Sequence, residues 1–242
     1  MPSGAAGGPD IAENSEMVFP AACLFDLDGL LLDTEPLHAQ AWQQAAERFG
    51  CQLSGQQLLA LRGRRRLDCA VQVIAWIQER SGQTPSSDAL LAVRQPIAEA
   101  LLIHAQPTPG AVALVQRCVE LAIPMALATS SSRAAVALKT APHAWLEAIT
   151  TRVHGDDPAL TTGKPAPDVF LLAAKRLGVA PELSWAFEDS PAGAQAARAA
   201  GCQVFVVPPA QLSDPERQQL YPGIVHFLSS LMQSTLLINT SS

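Results

Sequence analysis

Lysine is nearly absent from this chain: Lys139, Lys164 and Lys175 stand against thirteen arginines in 242 residues. A lysine in a Gly-Lys-Pro turn, Gly163-Lys164-Pro165, is therefore more conspicuous than it would be elsewhere. Charged residues of both signs make up only 16% and the net charge is -6, so the basic footprint of a nucleic-acid binder is missing. No run reaches the roughly 18 uncharged apolar residues that a membrane span needs. The N-terminus lacks the basic start and apolar core of a signal peptide. Five cysteines (Cys23, Cys51, Cys69, Cys118, Cys202) are scattered, odd in number and without a Cys-x-x-Cys pair, which excludes a disulfide framework and a zinc knuckle. Buried free thiols in a reducing compartment are expected instead, and with them a cytoplasmic location. There is no internal repeat. Hydrophobic residues make up 48%, enough for a sizeable core in one large domain or a domain with an insert.

The most informative stretch runs from Cys23 to Thr34. The apolar segment from Ala21 to Phe25 reads as a short buried strand, and it ends on two carboxylates one residue apart, Asp26 and Asp28. Alternation along a strand puts both on one face and turns Leu27 into the core. Gly29 then lets the chain bend sharply. Two carboxylates so close repel unless a cation lies between them or one holds a proton. Mg²⁺ suits such a pair, being hard and oxygen-seeking. A calcium loop does not fit, because Gly follows the second Asp directly.

Residues 1–18, rich in Gly, Pro, Ala and Ser, read as a disordered tail. After Pro36 the pattern is helical: Leu37 to Phe49, Gly55 to Leu61, Asp68 to Arg80 and Ser87 to Ile103 form four helices with no convincing strand between them. From Pro109 onward helices and strands alternate, with strands at Pro124 to Thr129, Ile149 to Val153, Trp185 to Glu188 and Gln203 to Val207. That alternation implies right-handed crossovers and a parallel sheet covered on both faces. The expected architecture is α/β: a Rossmann-like parallel-sheet core, residues 19–36 and 107–242, with an inserted all-α four-helix cap, residues 37–106. The tail from Gln233 is expected to pack or fray.

In open parallel sheets the ligand site lies at the carboxyl ends of the strands. That rule gathers Asp26 and Asp28, Thr129 with Ser130 and Ser131, Glu188 with Asp189, and, from a loop, Lys164. For a phosphoryl substrate each has a task. One Asp can be a covalent nucleophile and another an acid and base. Hydroxyls and a helix N-terminus can hold phosphate oxygens, while lysine and Mg²⁺ neutralise charge. Singly, each segment also reads as a cap, a surface turn or a strand end; their joint appearance points to a site.

Here the sequence resembles the haloacid dehalogenase superfamily over about Ala21 to Val207. Asp26-Leu27-Asp28-Gly29 with Asp33-Thr34 is similar to the first family motif, Thr129 to the second, Lys164 to the third and Glu188-Asp189 to the fourth. The resemblance implies Asp26 as nucleophile and Asp28 as general acid and base. It implies Mg²⁺ held by Asp26, the Asp28 backbone carbonyl and Asp189, with Glu188 close by. Thr129 and Lys164 would hold the transferring group. Asp33-Thr34-Glu35-Pro36-Leu37-His38 followed by Trp42 resembles the β-phosphoglucomutase subfamily and its phosphatase relatives. In that comparison His38 lies at the hinge, and Gly63 and Arg66 match a cap-loop glycine and a substrate-binding arginine. The mutase's cap lysine has no counterpart before Lys139, although Arg94 falls near its place. The reading that follows is a Mg²⁺-dependent phosphatase for a small phosphorylated metabolite, expected to be monomeric and to bind neither nucleic acid nor membrane. A sugar-phosphate mutase is the rival. A signalling receiver also phosphorylates an Asp at a strand end, but it lacks the Asp-x-Asp pair and the helical insert.

Overall fold

The computed structural model describes residues 19–61 and 66–239. The disordered tail expected over 1–18, and Gly63 with its neighbouring arginines, lie outside the described residues. In chain order the elements are β1 (Ala22–Phe25), α1 (Glu35–Glu47), α2 (Gly55–Leu61), α3 (Arg66–Ser81), α4 (Ser87–Leu102), α5 (Ala111–Glu120), β2 (Met125–Ala128), α6 (Arg133–Thr140), β3 (Thr151–Val153), α7 (Asp168–Leu177), β4 (Ser184–Glu188), α8 (Pro191–Ala199), β5 (Gln203–Val206), α9 (Asp214–Leu220), β6 (His226–Phe227) and α10 (Leu231–Asn239). Every pairing in the six-stranded sheet is parallel, in the order β3-β2-β1-β4-β5-β6. β1 is thus central, with β2 on one side and β4 on the other. Chain direction across the sheet reverses there, which opens a crevice at the carboxyl ends of these three strands.

Strand alternation divides the core in two. Cys23 and Phe25 face one apolar cluster with Leu114 and Val115 of α5 and Leu231 and Ile238 of α10. Leu24 faces the other, with Val169 and Phe170 of α7 and Ala194, Ala196 and Ala197 of α8. Both faces of the sheet are covered, so its strands read as continuous apolar runs. The register stacks aromatics across neighbouring strands: Phe25 on Phe187 with centroids 5.2 Å apart, Phe187 on Phe205 at 5.4 Å. Each such aromatic pair adds about 0.5–1.5 kcal/mol beyond the burial of its area, between the strands whose ends carry the polar residues. All five cysteines are buried free thiols, as expected.

Helices α1 to α3, together with Leu90 of α4, share a core of their own around Trp42, Ala45, Val73 and Ile77, separate from the sheet clusters. α1 also packs on α4 through Ala41, Ala98 and Leu102. Trp42 belongs to that apolar core. The structure differs from the sequence reading in two places. The strand expected from Ile149 starts at Thr151, because Ala144–Ala148 forms a 3₁₀ turn and the Arg152 guanidinium binds the carbonyls of Ile149 and Leu146. Past Val207 the chain adds α9, the two-residue β6 and α10, which the sequence analysis did not resolve as elements. The tail segment expected to pack or fray is helical to Asn239 and packs beside α5. Among the described residues no helix is long and apolar enough to cross a membrane.

Candidate active site

β1 ends at Phe25, so Asp26 and Asp28 lie in the tight loop that follows rather than on the strand itself. The Leu31 and Leu32 amides both donate to the Leu27 carbonyl, and Gly29 N donates to the Leu32 carbonyl, winding residues 27–32 into a closed turn. Leu27 is buried in the core as alternation requires. Gly29 is indispensable here: its φ is +84°, and a Cβ would lie 2.2 Å from Asp189 Oδ2. The Asp189 carboxylate thus rests directly against the loop.

The two carboxylates do not share one partner. Asp26 Oδ1 accepts from Lys164 Nζ at 2.5 Å, and the same ammonium donates to Glu188 Oε1 at 2.5 Å. Lys164 also stands over the Phe170 ring, 5.1 Å from its centroid. The remaining Glu188 oxygen accepts from the amides of Asp189 and Ser190 and from the Ser190 hydroxyl. Gly193, in the first turn of α8, leaves room for that carboxylate, since a Cβ there would lie 1.9 Å from Glu188 Oε1. Among the described residues, Asp26, Glu188 and Asp189 can each place a carboxylate oxygen within 4.8 Å of the others, and all three are buried. Burial pushes the Asp26 carboxyl up to about 7; Lys164 pulls it down, while Glu188 and Asp28 add to the rise. Burial alone would lower the Lys164 pKa, but Asp26 and Glu188 hold it above its ordinary value.

Asp28 faces a different cation. Its Oδ1 accepts from Lys139 Nζ at 2.5 Å; Oδ2 accepts from the same ammonium and from the Ser131 hydroxyl at 2.7 Å. Burial would raise its pKa, yet Lys139, His38 and the hydrogen bonds from Lys139 and Ser131 bring it down to about 2. Thr129 is buried at the end of β2, and its Oγ1 accepts from the Ser131 amide at 3.1 Å. Ser132, not Thr129, caps α6, with its hydroxyl accepting from Ala135 N. Ser130 is exposed.

From the helical insert, His38 on α1 reaches over the loop, its Nε2 4.0 Å from Asp28 Oδ1. Arg94 of α4, itself buried, donates from Nη2 to His38 Nδ1 at 2.8 Å and lies over the Trp42 ring. A guanidinium has no acceptor, so Nδ1 is the acceptor and the ring proton is on Nε2, toward Asp28. Burial drives the His38 pKa down to about 4 against the pull of Asp28, with Arg94 and Lys139 lowering it further. Arg66 is exposed at the start of α3, where Nη1 donates to Gln95 at 3.3 Å. It does not join the cluster around Asp26.

The sequence reading missed Lys139. Its position in the last turn of α6 resembles an ordinary surface lysine near a helix C-terminus, yet its side chain is 1% exposed. The available signal was the rarity of lysine itself: two of the three in the chain are buried against Asp26 and Asp28.

A parallel α/β sheet whose switch-point crevice holds carboxylates, hydroxyls and two buried ammonium groups, with helices set over it, defines an enzyme core with a capped site. The chain belongs to the haloacid dehalogenase-like hydrolase family, whose sequence model matches residues 20–201. It is 39% identical over 199 residues to a probable pseudouridine-5'-phosphatase of Drosophila melanogaster, covering 79% of this chain and 83% of that protein. It is 34% identical over 195 residues to (DL)-glycerol-3-phosphatase 2 of Arabidopsis thaliana, covering 78% of this chain and 80% of the relative. A solved structure of a hydrolase of this family from Deinococcus radiodurans R1, with bound phosphate and sodium, superposes with a TM-score of 0.73 at 25% identity, covering 92% of this chain and 96% of that one.

Proposed function

We propose that this chain is a Mg²⁺-dependent phosphatase that hydrolyses a small phosphorylated metabolite through an aspartyl-phosphate on Asp26. The observation that carries the reading is the pairing of Asp26 with Lys164 beside Glu188 and Asp189, in the crevice where substrates of such sheets bind. Phosphatase relatives at 39% and 34% identity point the same way.

The donor set fits a hard divalent cation. Three buried carboxylates gather beside Lys164, which bridges two of them, and all available donors are oxygens. Asp26, Asp189 and the Asp28 backbone carbonyl would hold Mg²⁺, with Glu188 adjacent; the Asp28 carboxylate lies outside the acidic group. The ion would supply charge neutralisation for phosphoryl oxygens.

The chain's own residues do the rest. Asp26 attacks phosphorus as the ester P–O bond breaks, and Asp28 passes a proton to the departing alkoxide. Water then attacks the phosphoryl group, giving its proton back to Asp28, and the bond to Asp26 breaks to release phosphate. Asp28 is ionised before substrate arrives; the phosphate dianion brings negative charge beside it and favours the proton uptake that the first step uses. Lys164 and Thr129 hold phosphoryl oxygens, with Lys164 countering charge that spreads in the transition state. Ser131 borders the loop through its hydrogen bond to Asp28, and Ser130 lies beside it past the end of β2. Residues 37–106 form the cap over a core of 19–36 and 107–242. From the cap, His38 and Arg94 face the substrate's alcohol portion. Arg66, at the start of α3, would meet its outer end.

Purified protein assayed against a panel of small phosphomonoesters is expected to release phosphate with Mg²⁺ and to fall to background in excess EDTA. The panel includes β-glucose 1-phosphate with its bisphosphate activator. Formation of glucose 6-phosphate without free phosphate would replace the phosphatase with a mutase.

A further inference from the structure

Lys139 has no task in the steps above, yet it is among the largest fully buried side chains in the protein. Removing an ammonium from water is expensive, and a buried ion pair often stabilises no better than apolar residues of the same size. Its presence under the active-site loop therefore calls for another explanation than fold stability. An ammonium has three N–H donors, and here all three are engaged: by Asp28 Oδ1 at 2.5 Å, by Asp28 Oδ2, and by Ser131 Oγ at 2.8 Å. No donor is left to reach a substrate, and the side chain is 1% exposed. Asp28 itself is 20% exposed, so its carboxylate is gripped from below and open above. Ser131 closes the triangle by donating to Asp28 Oδ2 at 2.7 Å. The carboxylate is thereby fixed in one orientation by three hydrogen bonds from two groups on and beside α6.

We propose that Lys139 is a positioning residue for the second half of the reaction, holding the Asp28 carboxylate where it takes the proton of the water that attacks phosphorylated Asp26. The inference rests on the aspartyl-phosphate reading and deepens it. In that step the water oxygen bonds to phosphorus, the bond between phosphorus and the Asp26 oxygen breaks, and the water proton passes to Asp28. A misaligned Asp28 slows this step, while attack by Asp26 on an ester with a good leaving group needs no proton from Asp28 and continues.

The test is Lys139→Met with p-nitrophenyl phosphate and Mg²⁺ in rapid mixing. The variant is expected to release a burst of nitrophenolate close to one per active site. Steady turnover should then run about 30-fold below the wild type, a smaller loss than the roughly 10²–10⁴-fold that a general base contributes, because Asp28 is misaligned rather than removed. Intact mass should show phosphate accumulating on the variant. In a folded variant, burst and turnover reduced in proportion with no accumulated phosphoenzyme overturn the inference; so does turnover within threefold of the wild type. Should Lys139→Met fail to fold, the comparison becomes Asp28→Asn against Asp28→Asn/Lys139→Met, which leaves no ammonium facing an amide and no carboxylate without its partner. Equal turnover in the two supports action through Asp28, and a further tenfold loss in the double variant overturns it. A wild type that releases no phosphate from any ester removes the phosphatase reading, and this inference with it.

Discussion

Asp26→Asn is expected to lose at least about 10⁴-fold in turnover while remaining folded, as nucleophile replacements do where one side chain forms the intermediate. The amide keeps the shape of the carboxylate and can still accept from Lys164, so packing around it is preserved. The pocket resists the charge it loses. Asp26 has a folded-state pKa of about 7 against an ordinary 3.8, chiefly through burial. A raised value means that the stability tied to the protonated form is fully present below about pH 4 and lost as pH rises through about 7. In EDTA at pH 8 the variant should therefore melt no lower than the wild type, and adding Mg²⁺ should raise the wild-type melting temperature more than the variant's. Phosphate release and thermal melts of both proteins check the two halves of this expectation. A variant that keeps a tenth of the activity would remove Asp26 from the role of nucleophile.

Lys164→Met is expected to harm both stability and rate. Lys164 is 6% exposed and bridges Asp26 to Glu188. Removing one member of a buried ion pair and leaving the others uncompensated costs about 3–5 kcal/mol. Both carboxylates then lose a donor, and Phe170 loses the ammonium above its ring. With saturating Mg²⁺ part of that stability should return, since the cation takes over the charge balance. The rate should not return. Loss of a preorganised donor to developing negative charge lowers turnover by about 10²–10³. Melting in EDTA and in Mg²⁺, with turnover measured under the second condition, separates the two effects. Full activity in Mg²⁺ would mean that Lys164 serves the fold alone.

Much of this site was legible because the sheet rule is strong. Once Ala21 to Phe25, Pro124 to Thr129 and Trp185 to Glu188 are read as buried parallel strands, Asp26, Thr129 and Glu188-Asp189 must emerge at one edge. The four helices between the first strand and the alternating stretch were also legible, because each carries its own helical period. What the strand rule cannot give is which carboxylate meets which cation. Asp26 and Asp28 are two residues apart, yet each is held by a different lysine. That difference depends on the winding of residues 27–32 and on the depth of α6, neither of which alternation encodes. Lys139 escaped for the same reason: burial of a helix residue depends on where the helix sits, and α6 presses its last turn beneath the loop. Arg94 was legible only as a loose alignment, whereas its hydrogen bond to His38 follows from the packing of α1 on α4. The last three elements were missed because two are short and α10 carries only a weak helical stripe.

The account stands on a phosphoryl group being carried covalently by Asp26. Protein mixed with a substrate ester and Mg²⁺, quenched during turnover and treated with borohydride, should yield a peptide in which residue 26 has been reduced from acyl phosphate to homoserine. The same treatment without ester should leave Asp26 intact. Steady phosphate release with residue 26 unmodified under every quench, or modification at another carboxylate, would contradict the account.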